Sequence, residues 1–219
     1  MLRPWFPTTI YQEDLNPSQD VVDSMIDYTN RFDDSSEFSI YTTKVESITG
    51  DVNGDYTLHN DPSFDWLNKQ VADNCRKYLI ELGCDITHLN VYAQKSWAVI
   101  CKNDGSIRKH CHPNSVLSAV FYLVVEDSSS SPLTFYSDKR SILNLPLNVS
   151  DGNDFNYDTA HYEPIENRLI IFPSNLYHSV DSRPLKGKRI SITYDITITC
   201  DNLHNAESMI LDPVYWKKL

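Results

Sequence analysis

Five runs of β-branched and aromatic residues follow one another after about residue 88, and they constrain the fold more than anything else in the chain. They span 88–102, 115–126, 133–137, 168–174 and 189–200, separated by turn chemistry such as Asn103-Asp104-Gly105-Ser106 and residues 128–132. Many short strands of this kind bury their apolar faces by stacking into a sandwich or closing into a barrel. The 13 Tyr, 8 Phe and 4 Trp against 6 Gly suit such pleated surfaces. Before residue 88 the period changes. Asn16-Pro17, read as N-cap and N1, opens one helical pattern through Val22, Met25, Ile26 and Asn30. Asp61-Pro62 opens a second, with Leu67, Val71, Cys75, Tyr78, Leu79 and Leu82 in one stripe and Gly83 at C′. The expectation is an α+β protein, one domain over 1–219. It has a helix-rich part (1–87) buttressing a β-barrel core (88–200) and a C-terminal extension (201–219). Residues 140–162 read as a long polar loop, either a lid or a solvated insertion.

Charge and cysteine usage narrow the partners. Lysine and arginine number 19 against 30 aspartate and glutamate, a formal charge of −11. That balance argues against nucleic acid or an anionic membrane as partner, while leaving room for a local cationic pocket. The five cysteines (Cys75, Cys84, Cys101, Cys111, Cys200) are odd in number, scattered and free of any CxxC pair. They read as reduced thiols of a cytoplasmic protein. No apolar stretch resembles a signal peptide or reaches the roughly 18 residues of a membrane span.

The chemistry points to histidines. In extended chain alternate residues share a face, so His110 and His112 aim one way and Cys111 the other. Two neutral imidazoles at this spacing are half of a metal site, suited to Fe, Zn, Cu or Ni. A third arrives 66 residues after His112, where the apolar run 169–172 ends in Pro-Ser-Asn and leads to His178. Eleven residues further on, Arg189 and Ser191 alternate onto one face of a strand, a guanidinium fork plus a hydroxyl suited to a carboxylate.

Together these pieces resemble the Fe(II)- and 2-oxoglutarate-dependent oxygenases built on a double-stranded β-helix, the jelly-roll or cupin-like barrel. More narrowly, the chain resembles an oxygenase family of bacteria and marine phages. That family runs from F-P-T through a Trp-containing strand to H-x-H-P-x-S-x-L-S-G-x-Y-Y-L, then L-x-F-x-D-P-R, F-P-S-x-x-x-H and R-x-S. The corresponding stretches are Phe6-Pro7-Thr8, Ser96-Trp97-Ala98, and residues 110–123, 133–140, 172–178 and 189–191. The resemblance implies Fe(II) on His110, His112 and His178, and 2-oxoglutarate as co-substrate held at its far carboxylate by Arg189 and Ser191. Tyr122 is either an added phenol donor or a barrel-core residue. It implies hydroxylation of a small-molecule or peptide substrate with O2, and host cytoplasm if the chain is phage-encoded.

One departure stands out. The superfamily places a carboxylate two residues after its first His, and here that position is His112. Three neutral imidazoles hold a metal less tightly than a set containing a carboxylate. An alternative alignment starts at His112 and puts Asn114 in the carboxylate's place; Asp138 is another candidate donor. Two other classes stay open: a three-His cupin dioxygenase that needs no 2-oxoglutarate, and a non-catalytic jelly-roll binding or structural module. Of the other histidines (His59, His88, His161, His204), only His161 is a candidate substrate contact.

Overall fold

A computed structural model describes residues 6–31, 47–49, 55–102, 105–127, 131–137, 150–153, 155–182, 187–201 and 209–219. Among them ten strands form two antiparallel sheets. The larger takes β1 (Tyr11–Asp14), β8 (Arg168–Pro173), β5 (Leu117–Val125), β10 (Lys188–Cys200), β3 (Leu89–Lys102) and β2 (Ser47–Thr49), hydrogen-bonded in that order. The smaller takes β4 (Ile107–His110), β9 (His178–Val180), β6 (Leu133–Tyr136) and β7 (Thr159–Tyr162). This is the double-stranded β-helix that the sequence leads one to expect.

Helices cover the outer face of the larger sheet. α1 spans Gln19–Asn30 and α2 spans Asp65–Glu81. The second starts where its signals place it. Asp61 accepts a hydrogen bond from the Ser63 amide at 2.9 Å, and a 3-10 turn (Pro62–Phe64) leads into the helix. It ends in a Schellman motif: Gly83, at φ +81°, donates to the Ile80 carbonyl and Cys84 to that of Leu79, both at 2.9 Å. Leu67, Val71, Cys75, Tyr78 and Leu79 are buried, but Leu82 is 47% exposed, because it is the C-cap and has turned off the stripe. The first helix starts two residues later than Asn16-Pro17 suggests, with Ser18 as N-cap.

Period-two alternation explains the long apolar runs. On β5, Leu117, Ala119, Phe121 and Leu123 face the helices, while Val120 and Tyr122 face the smaller sheet. On β8, Leu169 and Ile171 go one way and Ile170 and Phe172 the other. Both faces are covered, so both parities must be apolar; each such side chain contributes about 1.5–3 kcal/mol. Trp66 of α2 meets Phe121 edge-on, ring centroids 6.5 Å apart.

Within 140–162, residues 159–162 form β7, paired with β6. Asn103, Asp104, residues 128–130, Asp138, residues 139–149 and His204 lie outside the described residues. No disulfide joins the cysteines. No helix among the described residues is long and apolar enough to cross a membrane.

Candidate active site

The smaller sheet ends its short strands on histidines. β4 and β9 are antiparallel, and their register sets His110 directly opposite His178. Cross-strand partners stand about 4.5–5.5 Å apart at Cβ, and here the ring centroids are 4.3 Å apart. Beyond His110 the chain leaves the strand and crosses toward the larger sheet, where the His112 amide donates to the Ser174 carbonyl at 2.7 Å. The His112 ring lies 5.1 Å from each of the other two. One donor nitrogen from each histidine falls within 4.8 Å of the others.

Hydrogen bonds orient all three rings. Nδ1 of His110 donates to the Arg108 carbonyl at 2.8 Å, and Nδ1 of His178 to the Leu176 carbonyl at 2.9 Å. A carbonyl only accepts, so both rings carry the proton on Nδ1 and keep the Nε2 lone pair for a metal. The Nδ1 of His112 faces Asp195 Oδ1 at 2.5 Å. Burial and the neighbouring His110 push the His178 pKa down to about 3, and burial lowers that of His110. Both are therefore neutral near pH 7, the form that ligates. Phe172 packs edge-on against His178 at 5.0 Å and Trp97 lies over His112 at 5.6 Å, fixing the outer sides of the cluster.

The histidines line a cavity of about 200 Å³ between the sheets, which Tyr122, Arg189, Ser191, Thr193 and Asp195 also line. Arg189 is 3% exposed; its guanidinium donates to the Ser131 carbonyl at 2.8 Å and to Cys101 Sγ at 3.2 Å. Burial opposes its charge, Cys101 and Tyr122 favour it, and the net pKa direction is upward. Ser191 is the β-pair partner of Tyr122. Burial raises the Tyr122 phenol to about 12, so it stays a donor, and its ring also belongs to the inter-sheet core. Two register shifts bracket this wall, one opposite Leu123 and one opposite Gln94, so that residues 191–195 keep one uninterrupted parity.

Residues 95–195 match a family described as "Putative 2OG-Fe(II) oxygenase". Over that stretch, just under half of the chain, the sequence is similar to the 2OG-Fe(II) oxygenases. Solved structures of similar fold agree in architecture. A Pseudomonas putida prolyl-4-hydroxylase superposes with a TM-score of 0.54 at 14% identity, over 87% of this chain and 92% of that one. HygX from Streptomyces hygroscopicus, with nickel, 2-oxoglutarate and hygromycin B bound, gives 0.55 at 10%, over 94% and 92%. A Trichoplax adhaerens prolyl hydroxylase in complex with a hypoxia inducible factor peptide gives 0.54 at 12%, over 85% and 83%. No curated protein matches the chain in sequence. The match indicates an oxidoreductase whose cofactor is Fe(II) and whose co-substrate is 2-oxoglutarate.

Other residues singled out in the sequence fall in different places. Cys111, expected to face away from the imidazoles, lines the same cavity, because the strand ends at His110 and the alternation stops there. Asn114 also lines it. His161 pairs with Thr134 Oγ1 at 2.9 Å on the smaller sheet and is not part of the cavity wall. His59 is held by Ser96 Oγ at 2.8 Å, and His88 by Asp201 at 3.1 Å. Sequence reasoning missed Asp195. The signal was the parity of Arg189 and Ser191, which continues through Thr193 to an acid on the same face.

Proposed function

We propose that this oxygenase hydroxylates a small-molecule or peptide substrate, with iron held by His110, His112 and His178 and 2-oxoglutarate held at its far carboxylate by Arg189, Ser191 and Tyr122. The observation that carries this reading is the convergence of three oriented imidazoles on a cavity whose wall also holds a buried arginine. The donor set fits Fe(II): His110, His112 and His178 bring ligand atoms within 4.8 Å of one another, and an imidazole is a good ligand for that ion. Iron held there would supply the oxidising chemistry: of the two atoms of O2, one goes to the substrate as a hydroxyl and one to 2-oxoglutarate, which leaves as succinate and CO2.

The chain's own residues bind, orient and exclude water. Arg189 offers a planar fork, Ser191 a hydroxyl and Tyr122 a protonated phenol, three donors matched to one carboxylate. Val99, Val120, Leu133 and Val180 line the cavity with apolar surface, which strengthens each charged contact inside. Lys95, Pro113 and Asn114 are its exposed lining residues, on the side from which substrate would enter.

Anaerobic addition of Fe(II) and 2-oxoglutarate should give a visible charge-transfer absorption, which His178→Ala should abolish. A wild-type protein with no such absorption and no 2-oxoglutarate-dependent succinate release would overturn the assignment.

A further inference from the structure

We infer that Asp195 is a positioning residue for the metal centre. It fixes the tautomer of His112 and places behind that ligand the negative charge that three neutral imidazoles lack. The inference rests on the reading of the three histidines as the iron ligands, and adds a residue that the family's motifs do not contain.

The three imidazoles are not held alike. His110 and His178 give their Nδ1 protons to backbone carbonyls. His112 faces a carboxylate, Asp195 Oδ1, at 2.5 Å, with side-chain exposures of only 10% and 12%. A carboxylate accepts, so the geometry suits a hydrogen bond from Nδ1–H to Asp195 Oδ1, the tautomer that leaves Nε2 for the metal. Charge-assisted bonds of this kind are stronger than those to a neutral carbonyl. A carboxylate behind a ligating imidazole makes its coordinating nitrogen a better donor, and losing such a partner typically costs about 10–100-fold in metal affinity.

The arrangement is supported on every side. Ser118 Oγ lies 3.4 Å from the same Asp195 oxygen and 3.2 Å from His112 Nδ1. It also contacts Ser174 Oγ at 2.9 Å, while the Ser174 carbonyl takes the His112 amide. Asp195 sits opposite Ser118 in the β5–β10 register, at the bulge where β10 slips against β3. An acid absent from position 112 is thus met by one on the larger sheet, moved from contact with the metal to contact with its ligand.

The test is a Co(II) titration of the full-length, metal-free protein, read by visible absorption. Asp195→Asn keeps the shape and one acceptor oxygen but removes the charge; Asp195→Ala removes both. Asn should weaken Co(II) binding about 10-fold and Ala by up to about 100-fold. The thermal midpoint of metal-free Asp195→Asn, and the 2-oxoglutarate concentration that half-changes the Co(II) spectrum, should stay near wild type. Wild-type affinity in a folded Asp195→Asn protein would overturn the charge role, and that isosteric variant decides the matter if Asp195→Ala does not fold. Failure of the wild type itself to bind Co(II) would instead overturn the three-histidine reading beneath it.

Discussion

The two faces of β10 are buried almost equally and are made of opposite materials. Toward the helices it presents Ile190, Ile192, Tyr194, Ile196 and Ile198; toward the smaller sheet it presents Arg189, Ser191, Thr193 and Asp195. None of these residues is more than 9% exposed. Burial therefore does not separate structure from chemistry in this strand; parity does. One side gains from leaving water. The other carries groups that are costly to bury, and its two charged ones, Arg189 and Asp195, each find a partner.

Substitutions on the two faces should fail in different ways. The largest effect should come from the apolar side: Ile192→Ala should cost about 2–5 kcal/mol of stability by opening a cavity. Its 2-oxoglutarate KM should stay within about twofold once the protein is folded at lower temperature. Denaturant unfolding beside steady-state kinetics reads both quantities. A comparable loss of co-substrate affinity would blur the division between faces. Next, Arg189→Ala should raise the 2-oxoglutarate KM roughly 100-fold, the loss of about 2–3 kcal/mol expected for a charge-assisted contact, with metal content unchanged. Loss of metal together with KM would mean that the arginine holds the fold, not the acid.

The smallest effect is the pH dependence of the metal-free protein. The folded pKa of His178, about 3, lies below the ordinary 6.5. Between these values the unfolded chain takes up a proton that the folded chain refuses. Stability is therefore full above about pH 6.5 and falls as the pH drops toward about 3, by at most about 1.4 kcal/mol per pH unit for this one group. The five helix-facing residues named above have no counterpart, since burial drives the one titratable group among them, Tyr194, further upward. Urea midpoints at pH 7, 6 and 5 should trace the slope, and a flat profile would show that His178 is protonated in the fold.

Sequence reasoning reached the parts of the fold in which pattern repeats. β3, β5, β8 and β10 are long enough for their composition to speak, and α2 carries a cap, a stripe and a terminal glycine. β1, β4, β7 and β9 have only three or four residues, too few for any period, and exist because a neighbouring strand offers them an edge. His110, His112, His178 and Arg189 were legible because their spacing follows a family motif. Asp195 was not, because its meaning depends on His112 arriving from another element. No local pattern announces a hydrogen bond across 83 residues.

The wall of β10 also acts as a ruler. From Arg189 to Asp195 it advances six residues, roughly 20 Å at about 3.3 Å per residue. Arg189, pinned at Ser131 and Cys101, has little slack to follow an acid of another length. On the proposed reading, the choice among dicarboxylates is measured against main chain rather than against a swinging side chain. Resetting that length would take a displaced bulge, not a point substitution.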